Sequence, residues 1–204
     1  MTRSALALLA LFAFVLPACG SDDGDAMDAP ADQAAAAPQT AQDAFWENLQ
    51  ALCESAAEGE LLQAPDDQIS PDARLVVHFW ECGDEMIRFP LHVDDNRSRT
   101  WVFLRHDDHL ELRHDHRYED GTEEGNTWYG STTIEEGTPN RQEFATRRGD
   151  DIGGWAVEIE PGVHFTYGTM RNHEFRHHLR FDLTDPVELP PMHWGWETPP
   201  SQLQ

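Results

Sequence analysis

The sequence contains no lysine: all 14 of its basic residues are arginines, and they stand against 38 acidic residues. The absence of lysine excludes Schiff-base chemistry and phosphate loops of the Walker type, because both need that side chain. The formal net charge of −24 at pH 7 would repel the phosphates of nucleic acids, so we expect no nucleic-acid partner. Acidity of this degree is typical of a solvated surface, with a cation-binding surface as the alternative.

Several short enzyme motifs are also missing. The chain has no glycine-rich phosphate loop, no Gly-x-Ser-x-Gly turn, no His-Glu-x-x-His pair and no Cys-x-x-Cys pair. The sequence therefore identifies neither a cofactor nor a catalytic residue.

Long hydrophobic runs are absent as well, and the apolar run over residues 5–15 is too short to span a bilayer. Arg3 precedes this run, and Leu-Pro-Ala-Cys-Gly follows it at residues 16–20. This arrangement resembles the lipobox of bacterial lipoproteins, in which the chain is cut before a cysteine that carries diacylglycerol. The resemblance implies a signal peptide over 1–18, a lipid bilayer anchor on Cys19 and delivery to the outer membrane. Release into the periplasm or the medium is the alternative.

The sequence has only three cysteines, and they separate into one lipidation candidate and one pair. With Cys19 assigned to lipid, Cys53 and Cys82 remain as an even pair. In an exported protein such a pair favours a disulfide over a metal site or a reactive thiol.

Residues 19–39 have too few apolar side chains to form a core, so we expect a flexible tether there. Thr40 and Asp43 resemble a capping box at the start of a helix. Apolar residues follow at helical spacing on one face: Phe45, Leu49, Leu52 and Ala56. We therefore predict an N-terminal helix over 40–59.

After the helix, short alternating segments separated by turn residues predict strands. The predicted strands are 75–82, 86–93, 100–105, 110–118, 127–134, 141–146, 155–159, 163–167 and 175–183. Short connections favour an antiparallel meander, and closure into a barrel hides the strand edges. We therefore predict a mostly β fold, with a barrel of about 8–9 strands over 70–188 that is similar in architecture to the lipocalins (calycins). A β-sandwich is the alternative, and 189–204 is expected to be a Pro- and Trp-containing tail.

Three segments resemble an uncharacterised family of exported bacterial proteins: Arg-Ser-Arg-Thr-Trp at 97–101, His-Asp-His-Arg-Tyr-Glu-Asp-Gly-Thr at 114–122 and Phe-Asp-Leu-Thr at 181–184. The resemblance implies a domain that covers most of the mature chain, and it attaches no activity to that domain.

The segment from Leu110 to Tyr118 alternates strictly, so His114 and His116 share the face of Leu110 and Leu112. We predict that this face looks into the barrel and that His114, His116 and Tyr118 form the polar wall of a ligand site. The opposite face is expected to be exposed, with cross-strand ion pairs. It carries Arg113, Asp115, Arg117 and Glu119.

The His-x-His spacing also lets two imidazoles converge on one metal ion. His177, which lies in the apolar row of the last strand, is the best third ligand for a site of His114, His116 and His177. His78 and His164 are weaker candidates. The remaining histidines, His92 and His193 among them, are expected at the surface or in loops.

Three functions remain open at this point. The first is an outer-membrane lipoprotein that binds a small ligand inside its barrel. The second is a metal-dependent enzyme that uses the His-x-His site. The third is a structural or envelope-interaction lipoprotein without a small-molecule site, in which the histidines belong to a hydrogen-bonded network. Trp101, Trp128 and Trp155 are expected in the core, and Trp194 and Trp196 at a barrel end.

Overall fold

The structure, a computed structural model, describes residues 39–65 and 69–196. Cys19, the predicted signal peptide and the tether up to residue 38 lie outside the described residues. The described ranges contain one helix and twelve strands. Their bounds are α1 Ala41–Gln50, β1 Ser55–Gln63, β2 Leu75–Phe79, β3 Glu81–Cys82, β4 Met86–Val93, β5 Asn96–Arg105, β6 Leu110–His116, β7 Tyr129–Thr132, β8 Arg141–Arg148, β9 Asp151–Glu160, β10 His164–Arg171, β11 Glu174–Phe175 and β12 His178–Asp182.

All strands belong to one antiparallel sheet in the order β7-β6-β5-β4-β2-β1-β12-β10-β9-β8, with β3 added to β4 and β11 to β10. The sheet curls until its two end strands meet. Thr133 and Phe144 form a single β-bridge there, and the Ser131 hydroxyl donates to the carbonyl of Ala145 at 2.8 Å. The barrel is therefore nearly closed, which confirms the predicted fold class with more strands than expected.

The helix begins as predicted and ends earlier than predicted. Thr40 and Asp43 form a complete capping box, in which each side chain accepts a hydrogen bond from the other's backbone N–H. The predicted extent of 40–59 is wrong, because α1 ends at Gln50 and Ser55–Gln63 is strand β1.

Strand pairing explains this difference. β1 fills the place between β2 and β12 in the sheet, and the barrel would have a gap without it. Gly59, the last residue of the predicted helix, lies so close to the ring of Phe181 that an added Cβ would be 2.4 Å from it. Backbone pairing on both sides outweighs the helical spacing of the apolar residues in this segment.

The core combines the inner faces of the strands with Phe45, Trp46 and Leu49 of α1. Trp101 is buried as predicted, and Trp155 packs against the core. The prediction for Trp128 is wrong, since its side chain is 49% exposed. The predicted disulfide is confirmed: Cys53 is joined to Cys82, with their Cα atoms 6.2 Å apart.

The chain after β12 contains no further strand up to residue 196, as expected for the tail. Residues 187–196, which we call the C-terminal strap, run along the outer wall of the barrel. The Val187 N–H donates to the carbonyl of Ala56, and the Trp194 N–H donates to that of Arg97. In the described part of the chain, no helix has the length and apolarity needed to cross a membrane.

Candidate functional sites inside and outside the barrel

His114 lies on the inner face of the barrel, where the alternation of β6 predicts it, and only 3% of its surface is exposed. Its Nδ1 is 3.1 Å from the carbonyl oxygen of Tyr129, and its Nε2 is 2.5 Å from the Tyr167 hydroxyl. A carbonyl only accepts, so Nδ1 carries the proton and Nε2 accepts from Tyr167. Burial lowers the pKa of His114 to about 4, so the ring is neutral at physiological pH.

Aromatic rings surround this histidine. The Tyr129 ring stacks on it with centroids 4.7 Å apart, and Trp155 lies 4.9 Å away. Tyr167 stacks on Trp101 at 4.1 Å. Because these rings pack directly on its imidazole, the space around His114 is filled by side chains.

His116 follows on the same face, next to the end of the strand. Its Nε2 is 3.1 Å from the Tyr129 hydroxyl, and its Nδ1 is 3.9 Å from a carboxylate oxygen of Glu124. Burial, followed by the charge of Arg99, lowers the pKa of His116. The structure thus brings the two predicted histidines together through Tyr129.

The other two predicted site residues lie apart from this pair. Tyr118 comes after the end of β6 and is 54% exposed, so its predicted inward position is wrong. His177 lies between β11 and β12, and its Nδ1 is bonded to the Thr169 hydroxyl at 3.0 Å. Among the residues that the structure describes, no group of three or more His, Cys, Asp and Glu side chains could hold a metal ion. The metal set of His114, His116 and His177 therefore gains no support.

Arg99 is a feature of this end that sequence reasoning did not single out. It pairs with His116 in the β5–β6 register, so both side chains lie on the same face. Within the described residues its guanidinium makes no hydrogen bond or ion pair, although most arginines of the barrel have a carboxylate partner.

A larger polar cluster lies between the outer wall and the strap. It includes seven buried polar or charged side chains: His78, Arg88, His92, Ser98, Thr100, Asp115 and His193. The predicted exposure of Asp115 is wrong, since only 2% of it is accessible. The alternation of β6 does direct Asp115 outward, but the strap covers it.

Trp196 is the residue that holds the strap over Asp115. Its indole Nε1 donates to the Asp115 carboxylate at 2.9 Å. Its ring packs against the guanidinium groups of Arg88 and Arg117, which lie 4.2 and 4.6 Å from the ring centroid. Arg117 also donates to Asp115 at 2.8 Å, and Arg88 to Glu81 at 2.7 Å. Trp196 therefore packs on the wall of the barrel and not at its end.

Three histidines beside this network have ring nitrogens without partners among the residues that the structure describes. These atoms are Nδ1 of His78, Nε2 of His92 and both ring nitrogens of His193. The predicted surface position of His92 and His193 is wrong, since they are 4% and 2% exposed. Burial lowers the pKa to about 4 in His78 and His92 and to about 3 in His193.

A cleft of about 770 Å³ opens between the strap and the turn at residues 119–122. The two sides meet at Gly121 and Gly195, whose φ angles are +83° and +79°; a Cβ on Gly121 would lie 2.9 Å from the Cα of Gly195. Glycine is required at these two positions because their φ angles are positive and because the two backbones approach each other so closely. His193 and Trp194 line the cleft.

Sequence reasoning missed this region because β2 and β4 have their apolar residues on the other face. The alternation thus indicated that His78 and His92 point away from the core, and no local pattern indicated that a distant segment covers them. The only local signal was the density of Trp and His in the tail.

The chain matches no protein-family model, no curated protein and no solved structure. The lipobox resemblance and the family resemblance therefore stay predictions.

Proposed function

We propose that this protein is a lipoprotein of the cell envelope, anchored in the outer membrane through Cys19, whose barrel is a solid scaffold without an internal small-molecule site. The observation that carries the scaffold role is His114, because both of its ring nitrogens are bonded within aromatic packing. A ligand would have to displace Tyr129 or Tyr167 to reach it. Buried polar groups that are fully bonded in this way stabilise one arrangement of the core.

The disulfide between Cys53 and Cys82 supports the envelope assignment, because disulfides form and persist in oxidising compartments outside the cytoplasm. The anchor itself is inferred from the Leu-Pro-Ala-Cys-Gly segment at 16–20. Lipid on Cys19 would hold the barrel at the membrane through the tether of 19–39.

Metabolic labelling with an alkyne-bearing fatty acid tests the anchor. The wild-type chain should take up the label and sediment with membranes. A Cys19→Ser variant should do neither, whereas a Cys53→Ser/Cys82→Ser double variant should keep the label. An unlabelled wild-type chain would contradict the anchor.

Mass spectrometry tests the solid interior. Protein purified from envelopes should show the same mass, apart from lipid, under native and denaturing conditions. A stoichiometric small molecule that is released on unfolding, and whose binding is lost in His116→Ala, would contradict the scaffold role.

Arg99 favours a second candidate, a small anion bound at the His116 end of the interior. A guanidinium without an acidic partner is suited to a carboxylate or phosphate, and Arg99 shares its face with His116. Titration with acetate and phosphate tests this candidate. Binding that disappears in Arg99→Gln would favour this candidate. If the wild-type protein binds neither anion, the scaffold role remains the proposed function.

The metal-dependent enzyme has no such observation in its favour. Elemental analysis that found stoichiometric Zn, Mn, Fe or Cu, lost in a His114→Ala/His116→Ala variant, would restore it.

A further inference from the structure

We propose that the cleft between the C-terminal strap and the turn at 119–122 binds a neutral saccharide. This site lies outside the barrel and goes beyond the scaffold role proposed above.

Unpartnered polar atoms lie in the lining of this cleft and next to it. Of the eight buried side-chain nitrogen and oxygen atoms without a hydrogen-bond partner in the described residues, five belong to His78, His92, His193 and Trp194. His193 and Trp194 line the cleft directly. Because a buried donor or acceptor without a partner costs free energy, such atoms are expected where a ligand completes the bonding.

The groups around the cleft suit a neutral ligand. Arg97, Glu119 and Asp120 give its lining charges of both signs, and the two carboxylates disfavour an anion. The lining atoms without partners in the described residues belong to the imidazole of His193 and the indole of Trp194, which need no charge on the ligand. A ligand with several hydroxyl groups can accept from Arg97 and from the indole of Trp194, and it can donate to the carboxylates.

The cleft also offers an apolar surface. Met192 and Trp194 line it beside the polar groups, and an aromatic ring with a polar edge suits a ligand that is apolar on one face and hydroxylated around its rim. A pyranose ring has this character. Trp196 serves to position the strap, since its ring packs against the guanidinium groups of Arg88 and Arg117 and its indole donates to Asp115.

Indole N–H resonances in a ¹H–¹⁵N spectrum of the full-length protein give a direct test, since the seven tryptophans each contribute one. Each resonance is assigned by a Trp→Phe variant. Glucose, N-acetylglucosamine and cellobiose are the probes, and glucosamine and glucuronate are the matched charged analogues. We expect at least one neutral probe to shift Trp194 and Trp196 in a saturable manner and to leave Trp101 and Trp155 unchanged.

Substitutions then identify the side chains that contribute to binding of the neutral probe. Trp194→Phe keeps the ring and removes the donor, so binding should weaken by about tenfold, the loss expected for one hydrogen bond. Trp128→Phe, at an exposed tryptophan outside the cleft lining, should bind as the wild type does. Glu119→Ala, at an exposed position, tests the acceptor side without disturbing the strap and should also weaken binding.

Three results would overturn the proposal. The first is the absence of any shift with all neutral probes. The second is a shift confined to Trp101 and Trp155, which would place a ligand inside the barrel. The third is tighter binding of glucosamine or glucuronate than of glucose, which would replace the neutral ligand with a charged one.

Discussion

The inner and outer faces of β6 carry two polar clusters that differ in whether their imidazole nitrogens have hydrogen-bond partners. His114, on the inner face, has a partner for each ring nitrogen. Between the outer face and the strap, four imidazole nitrogens of His78, His92 and His193 have no partner in the part of the chain that the structure describes. The interior cluster is thus complete in itself, whereas the outer cluster retains binding capacity. The region under the strap is therefore better suited to bind a ligand than the barrel interior.

Acidification is expected to have the largest effect, and the outer cluster contributes most to it because it contains three buried histidines with lowered pKa values. The folded-state pKa values of His78 and His92, about 4, lie below the value of about 6.5 expected in the unfolded chain. The unfolded state therefore binds more protons between these values, so stability is full above pH 6.5 and falls as the pH decreases towards 4. We expect a loss of about 2 kcal/mol per histidine between pH 6.5 and 4.5, measured by urea unfolding.

The surroundings of the outer histidines strengthen this expectation. Arg74, Arg88, Arg97 and Arg117 all disfavour protonation there, and the carboxylates of Asp115 and Glu81 are already paired with arginines. A His92→Leu variant should lose less stability on acidification than the wild type. An equal loss in both proteins would assign the effect to other groups.

Removal of Asp115 is expected to have the next largest effect. An Asp115→Ala variant removes a buried carboxylate that accepts from Arg117 and from the Trp196 indole, and it leaves Arg117 with Glu123 as its ion-pair partner. Two hydrogen bonds to a charged group are lost, so we expect the free energy of unfolding to fall by about 3–5 kcal/mol. Glu123→Gln, at an exposed carboxylate that also pairs with Arg117, is the control and should cost less than about 1 kcal/mol. Equal losses would show that the strap is held by other contacts.

A smaller effect is expected inside the barrel. Tyr167→Phe removes the hydroxyl that donates to Nε2 of His114 and leaves that nitrogen buried without a partner. The cost should be about 1–3 kcal/mol in thermal or urea unfolding. Tyr118→Phe, at an exposed tyrosine, should change stability by less than about 0.5 kcal/mol. An unaffected Tyr167→Phe protein would mean that the interior network is not complete as described.

The smallest change is expected at Arg99. Since this guanidinium has no partner within the described residues, Arg99→Gln should alter the free energy of unfolding by less than about 0.5 kcal/mol. A loss above about 1 kcal/mol would reveal a structural role for Arg99 and weaken the anion-binding candidate.

Local sequence patterns were sufficient to predict much of the fold. The capping box of Thr40 and Asp43 predicted the start of α1, and two-residue alternation predicted most strands and the inward position of His114. It was insufficient for Ser55–Gln63, which carries helical spacing and becomes β1. There the choice depends on β2 and β12, which lie far along the chain and are available only in the folded barrel.

The sequence by itself determined the antiparallel β class, the disulfide and the inner row of Leu110, Leu112 and His114, because these depend on side-chain order and on the number of cysteines. Only the tertiary structure decided that Asp115, His92 and His193 are buried. The alternation of apolar and polar residues predicts the face of a strand on which a side chain lies. It does not predict which distant segment covers that face. The strap, which joins the wall through contacts distant in sequence, converted an outer surface into a second buried polar region.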